Sequence, residues 1–467
     1  MLEYNIRNKW IGVKDVRYND EYNLLNDYLN GDNTVRYLNP DAILIERGYR
    51  IDVFAEGLNI PTSILFTEEG ELLVTALGKG DDPGVYRFIN STFELIGDQF
   101  QGPITGINYR NGDIYVSHKG VITLLKEDGS KQNLLWGLPS QGDHGNSRVA
   151  FGMDNKMYFG LGTATNSGVV GNDNRWVCRF PLCRDNPGYH IILNGENYKT
   201  RNMLLMAEEE ILTGAFSAYG EPNQPFEQRK AIIKASGSIL RSNPDGTELE
   251  QVVWGLRCPS YLEFDRSNRL YVSNHGYDVR GSRPIANAPD EFWLITEGQW
   301  YGWPDYAGGE PVTMERFRPE GGVQPQFLLA CHPNIPPKPF ALFPPESTIT
   351  GFAFNYNRNF GNIGDVYIAE FGSISMDGDT YFPLQYPSVG HKISRIDIHS
   401  RSINTFAMNK SGFSASVTGD GGLSRPCGVA FGKDGAMYIL DSGINHPDMP
   451  NRFIPNTGVI WRVVRDA

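Results

Sequence analysis

One strand phrase, read as apolar, polar turn, then apolar-aromatic-apolar, recurs six times, and this repetition limits the possible folds of the 467-residue chain more than any other feature. The phrases are ILFTEEGELLVTALG from Ile64, INYRNGDIYVSH from Ile107, VAFGMDNKMYFGLG from Val149, LEFDRSNRLYVSNHG from Leu262, GFAFNYNRNFGNIGDVYIAEFG from Gly351 and VAFGKDGAMYILDSG from Val429. Each joins two strands through a turn. After most of them a glycine or polar residue leads into a further short strand: GVYRF at Gly84, GVITLLK at Gly120, GSILRSNPDG at Gly237, HKISRIDI at His391 and GVIWRVV at Gly458, with FWLITEG at Phe292 taking that place in the fourth unit. One unit thus holds about four strands, the content of a propeller blade, and a first spacing of about 42 residues suits such a blade.

The predicted fold is therefore all-β, a six-bladed β-propeller with loop and helix insertions and a short N-terminal extension. Residues 1–48 form the extension, with one short helix expected around Tyr22–Leu29, and residues 49–467 form the propeller. A radial array must bury its last open edge, and the unpaired strand YRIDVFAEGL at Tyr49–Leu58 is available to complete the blade ending in GVIWRVV. The longest insertion runs from Thr163 to about Ala235 and carries a stretch read as helical, KTRNMLLMAEEEILTGAF; two others are Pro-rich.

The net charge of -12 and the lack of a clustered Lys/Arg run argue against nucleic acid as a partner. Five cysteines, at 178, 183, 258, 331 and 427, point to free thiols rather than a complete disulfide framework. No apolar stretch reaches the ~18 residues of a membrane span, and the N-terminus shows no signal-like apolar run. The chain as written is expected to be cytoplasmic, or secreted if its N-terminus is already processed.

In a propeller, the loops entering the innermost strands converge on one mouth of the central channel. Three of them carry reactive groups: QGDHGNSR at 141–148, GLRCPS at 255–260 and SRPCG at 424–428. Asp143 beside His144 offers a general base near neutral pH, while Arg257 and Arg425 offer fixed positive charge. The loop 273–295 holds His275, Asp278, Asp290 and Glu291 near Gly276, and backbone carbonyls at that Gly turn together with the carboxylates form the hard-oxygen set that Ca²⁺ prefers. Cys258 and Cys427 with His144 and His275 offer a soft transition-metal site instead.

At these residues the chain resembles the glucose/sorbosone dehydrogenase family, soluble quinoprotein sugar dehydrogenases that are six-bladed propellers binding pyrroloquinoline quinone (PQQ) and Ca²⁺. The resemblance spans about Tyr49 to the C-terminus and is most specific in GDHGNSRVAFGMDNKMYFGLGTATNSG at 142–168, GSILRSNPDGT followed by GLRCP, SNHG…PDEFWLITEGQWYGWP at 273–304 and SRPCGVAFGKDGAMYILDSG at 424–443. It implies that a small sugar or polyol is oxidised at its C1 hydroxyl, with Asp143 and His144 as the acid-and-base pair. Arg257 would lie beside the quinone carbonyls and Arg425 at the cofactor carboxylates; His275, Cys258 and Cys427 fall on cofactor-lining positions. The carbonyls of Gly276 and Tyr277 would bind Ca²⁺, with Asp290 and Glu291 as the acidic pair downstream.

Departures accompany the match. Cys258 replaces an Asn, Cys427 stands near a second cofactor arginine, IAEFGS at 368–373 lacks the cofactor lysine, and VTALGKG at 74–80 lacks the Glu-Arg after the first blade's strand. Each lost charge-assisted contact weakens an anionic cofactor by roughly 1.5–3 kcal/mol. Two other functions fit the same scaffold: a metal-dependent lactonase or other hydrolase, and a binding module with a relic site.

Overall fold

The computed structural model describes residues 35–77, 83–205, 209–373, 389–447 and 449–466. Six antiparallel sheets, each of four strands or more, are arranged in a ring. In blade one the strands are Pro61–Phe66, Leu72–Leu77, Pro83–Ile89 and Thr92–Gly97, from the axis outward. Blades two and three begin at Ile104–Arg110 and Asn146–Phe151, and blades four, five and six at Cys258–Phe264, Ile349–Phe354 and Pro426–Phe431. The chain is thus the expected six-bladed, nearly all-β propeller; the single α-helix of the described residues is one turn, Ala415–Thr418. No helix of the described residues is long and apolar enough to cross a membrane, and the five cysteines are unpaired.

The turn inside every repeated phrase explains why the phrase recurs. A tight hairpin whose twist matches its strands needs a residue at positive φ. Gly70, Asn111, Asn155, Asn268, Gly364 and Gly435 supply it, one in each blade, with φ between 55° and 95°. The second strands are sandwiched between neighbouring blades, so Leu73, Val74, Val116, Phe159, Val272, Ile368 and Ile439 are all fully buried. Near the axis the blades come closest: a Cβ on Gly106 would lie 2.4 Å from the Arg148 Cβ of the next blade, which is why an inner strand carries glycine there.

Tyr49–Leu58 pairs with Gly458–Arg465 as the outermost strand of blade six, from Tyr49 opposite Arg465 to Leu58 opposite Gly458. The chain's first long strand thereby closes the ring against its last one. The described part of the extension is integral to the ring as well. Ile43–Ile45 adds a fifth strand to blade five, and Arg36 is buried against Asp441 at 3.0 Å while donating to the Gly422 and Thr457 carbonyls. The helix expected around Tyr22–Leu29 lies outside the described residues.

One expected element is corrected. In place of the helix expected over 199–216, the described residues form a β-hairpin, Asn197–Arg201 paired with Glu210–Gly214. The Asn202 side chain accepts from the backbone N–H groups of Leu204 and Leu205, and such local bonding turns the chain out of helical geometry. The apolar residues do not share one face: Met203 and Ile211 pack beside Val170, Val177 and Tyr219 and Phe216 is buried in a separate cluster, whereas Leu205 and Leu212 are exposed.

Candidate active site at the channel mouth

The three loops singled out in the sequence do enter inner strands, of blades three, four and six. His144 is held by the third blade's own backbone. Its Nδ1 is 3.0 Å from the Thr163 carbonyl and 3.3 Å from the Thr163 hydroxyl. A carbonyl only accepts, and that hydroxyl donates to the Thr165 carbonyl at 2.6 Å, so Nδ1 carries the proton and Nε2 keeps its lone pair. Burial, and then the neighbouring Arg257, push His144 down to about 3. The imidazole is neutral across the physiological range and able to accept a proton at Nε2.

Asp143 does not orient that imidazole. Its Oδ1 accepts from Trp176 Nε1 at 2.8 Å and Asn174 Nδ2 at 3.1 Å, and its Oδ2 from Arg280 at 2.8 Å. The two residues are adjacent in sequence, but consecutive loop residues project in different directions, and the donors that Asp143 meets lie on the insertion and on blade four. Asp143 acts on His144 only through its charge, which favours the protonated ring.

Arg280 is the hub that sequence reasoning missed. It pairs with Asp143, with Asp173 at 2.6 Å and with Asp278 at 3.0 Å. Burial lifts Asp173 to about 6 against this pairing. Asp278 also pairs with Arg257 at 2.7 Å; against partial desolvation, Arg257 and Arg280 hold it well below the usual carboxylate range. Arg257 is 3% exposed and donates through Nε to the Asn166 carbonyl. The Asn166 side chain in turn brackets the 278–280 turn through Asp278 N–H and the Asp278 and Arg280 carbonyls. The only sequence signal for this network was the spacing DVR at 278–280, an alternation of charge that is common in exposed loops.

Arg425 differs from Arg257 in one respect. It is 6% exposed and donates to the Asn445 side chain at 2.7 Å and to the Ser373 and Phe371 carbonyls, but no carboxylate of the described residues lies within ion-pair distance. Burial pushes it down to about 10. Its backbone N–H bonds Asp441 Oδ1 at 3.0 Å, while the charge of Asp441 is taken by Arg36. Beside it, His391 places Nδ1 3.0 Å from the Ser424 carbonyl; burial, then Arg425, push that imidazole down to about 4. A buried guanidinium without an ion-pair partner among the described residues suits an anionic ligand.

The remaining candidates divide. Gly276 and Tyr277 follow the second strand of blade four, and no hydrogen bond from the described residues reaches their carbonyls, leaving both oxygens open to a hard cation. Asp290 and Glu291 are not brought together as a ligand pair. Consecutive residues of a strand face opposite ways, and each carboxylate is occupied. Asp290 accepts from Gly276 N–H at 2.7 Å and Ile349 N–H at 3.2 Å; Glu291 accepts from Asn274, Trp293 and Gly308. Burial raises both, Glu291 to about 7. Their work is to hold loops: Asn274, fixed by Glu291, receives the backbone N–H groups of Arg257 and Cys258.

Among the described residues, no group of three or more His, Cys, Asp or Glu side chains is placed to hold a metal ion, so the soft site of Cys258, Cys427, His144 and His275 does not form. Cys427 is buried with its thiol 3.5 Å from the Pro61 carbonyl, and burial raises it to about 12. It seals the contact between blades six and one and is not placed as a cofactor ligand. His275 places Nε2 2.8 Å from the Ile349 carbonyl and stands opposite Cys258 in the ladder. Burial alone would lower it, but Cys258 and Asp290 outweigh that and bring it to about 9.

Fold and channel mouth define a six-bladed propeller with the fold of the soluble sugar dehydrogenases, as the family resemblance implied. A curated relative, quinoprotein glucose dehydrogenase B of Acinetobacter calcoaceticus, is 26% identical over 227 residues, which is 47% of this chain and 38% of the relative. The match thus spans well under two thirds of that protein's length. Similar solved structures include the PQQ-bound aldose sugar dehydrogenase of Streptomyces coelicolor, with TM-score 0.52, 18% identity and 90% of this chain and 99% of that one covered. The holo PQQ domain of pyranose dehydrogenase from Coprinopsis cinerea gives TM-score 0.59 and 15% identity over 93% of this chain and 99% of that one. No family model matches the chain.

Proposed function

We propose that this protein is a quinoprotein-type oxidoreductase that oxidises the C1 hydroxyl of an aldose or related polyol. The observation that carries the reading is Arg425, a buried cation without a carboxylate partner among the described residues, at the channel end that also holds the neutral His144. The residues present fit PQQ in part. Arg425 would meet its carboxylates, Arg257 would line its quinone edge, and the Gly276 and Tyr277 carbonyls would hold the Ca²⁺ that accompanies it. When bound, PQQ supplies a two-electron acceptor, which no side chain here can replace.

The protein's own part is positioning and proton transfer. His144 Nε2 accepts the C1 hydroxyl proton, with Thr163 fixing the tautomer that leaves Nε2 free. Arg257, locked by Asp278 and Asn166, holds a positive charge beside the reacting atoms. Support also comes from the relative and the two neighbours above, whose names carry the same chemistry. The hydrolase alternative needs a cluster of metal ligands and has none among the described residues.

The experiment is reconstitution. Purified protein given PQQ and Ca²⁺ should reduce an artificial dye with at least one member of an aldose and polyol panel, and His144→Ala should abolish this. A protein that neither binds PQQ nor turns over any member of the panel would end the proposal.

A further inference from the structure

An open cavity of about 730 Å³ lies between the 137–144 loop and the insertion of blade three, and His144 stands in its wall. Its volume falls in the range of roughly 300–1,000 Å³ that encloses drug-sized ligands, more than one hexose fills. The far wall is Phe180, Pro181 and Leu182, and Leu138 and Pro139 face it from the near side. Leu182 is 78% exposed, an apolar side chain left in water at the edge of the site unless something covers it.

Charge is distributed just as unevenly. In a chain of net charge -12, the described lining holds two arginines, Arg179 and Arg184, and no aspartate or glutamate. The acids adjacent to the lining in sequence are turned inward: Asp143 to Arg280, and Asp185 to the Thr165 hydroxyl and the Ala164 N–H. Arg179 lies over the Phe180 ring at 5.2 Å and Arg184 pairs loosely with Glu221 at 3.6 Å, both at the surface. This wall is also tied to the site. The turn Arg175–Cys178 precedes it, and Trp176 bonds the same Asp143 that follows the 137–142 loop.

Resting on the reading of His144 as the base, we infer that the cavity selects the substrate's non-reacting end, taking a sugar derivative with an apolar substituent and a negative charge in preference to a free neutral monosaccharide. The apolar part covers Leu182 and Phe180, and the anion meets Arg179 and Arg184. The insertion, which lies outside the repeat, is thus the specificity element.

The test is calorimetric titration of the protein without added cofactor, at ligand concentrations below micelle formation. The suberate monoester 6-O-(7-carboxyheptanoyl)-D-glucose, whose tail and carboxylate sit at the end away from a free C1 hydroxyl, is compared with neutral 6-O-octanoyl-D-glucose and with tail-less glucuronate. The suberate monoester should bind at least ten-fold more tightly than either. Arg179→Glu combined with Arg184→Glu should remove its advantage over 6-O-octanoyl-glucose, and Leu182→Asp its advantage over glucuronate. These side chains are at the surface, and unchanged circular dichroism and melting would confirm that the variants are folded. Equal binding of the three ligands, or an advantage that survives both variants, overturns the inference. Because no cofactor is present, that failure leaves the reconstitution result untouched, and a failed reconstitution leaves the binding result standing.

Discussion

The His144 imidazole is oriented by Thr163, whose carbonyl lies 3.0 Å from Nδ1, and not by the aspartate that precedes it in the chain. A backbone acceptor cannot change protonation state, so the tautomer is fixed at every pH at which the protein is folded. In ¹⁵N spectra, His144 should show a protonated Nδ1 and a bare Nε2, without titrating between pH 5 and 8, since burial and Arg257 hold it near 3. A midpoint near 6.5 would contradict this geometry. In a reconstituted enzyme, His144→Ala should lower kcat by about 10²–10⁴-fold, the usual contribution of a general base.

Arg280 should be worth more to stability than any single carboxylate it binds. Arg280→Met leaves Asp143 and Asp173 largely buried without their cation, a change that typically costs about 3–5 kcal/mol. Asp143→Asn keeps part of the hydrogen bonding to Trp176 and Asn174 and should cost about 1–3 kcal/mol. Denaturant unfolding of the two variants checks the order.

Arg425 and Cys427 are two positions apart in sequence and should separate cleanly in function. Arg425→Gln should weaken PQQ binding by about 10- to 100-fold, measured by fluorescence quenching, because one charge-assisted contact contributes about 1.5–3 kcal/mol. Cys427→Ala should leave that affinity within about two-fold, since its thiol lies against Pro61 in the blade contact.

His391 gives a pH-dependent prediction. Its folded pKa is near 4, below the ordinary 6.5, so between those values the unfolded chain binds the extra proton and the folded state loses stability as the pH falls. The slope from this one group is at most about 1.4 kcal/mol per pH unit. Asn tolerates the positive φ of 56° found at this position. His391→Asn should therefore be less stable than the parent at pH 8 and recover relative to it as the pH drops from 6.5 to 4. A parallel pair of urea-derived stability curves would refute this.

The fold was legible because its signal is local and repeated. Alternating apolar residues, and a Gly or Asn at positive φ in each turn, recur six times, so one ambiguous unit is corrected by the other five. The site was legible only where it coincided with the repeat: His144, Arg257 and Arg425 were found because they precede inner strands. Arg280 and Thr163 were missed because nothing local distinguishes an arginine that collects three carboxylates from three different loops, or a carbonyl that holds a ring 19 residues back. Asp290 and Glu291 misled for the converse reason, since two adjacent acids look like a ligand pair until strand geometry sends them to opposite faces.

The pairing of Tyr49–Leu58 with Gly458–Arg465 also sets an order of events during synthesis. The strand that completes blade six is made before blade one, and its partner only after the other five blades, so the ring cannot close until Gly458–Arg465 has emerged. Until then blade one has an open flank on one side, and Tyr49–Leu58 is an unpaired edge able to pair with another nascent chain. Yield on expression should therefore respond to crowding of ribosomes on the message more strongly than the stability of the finished ring would suggest.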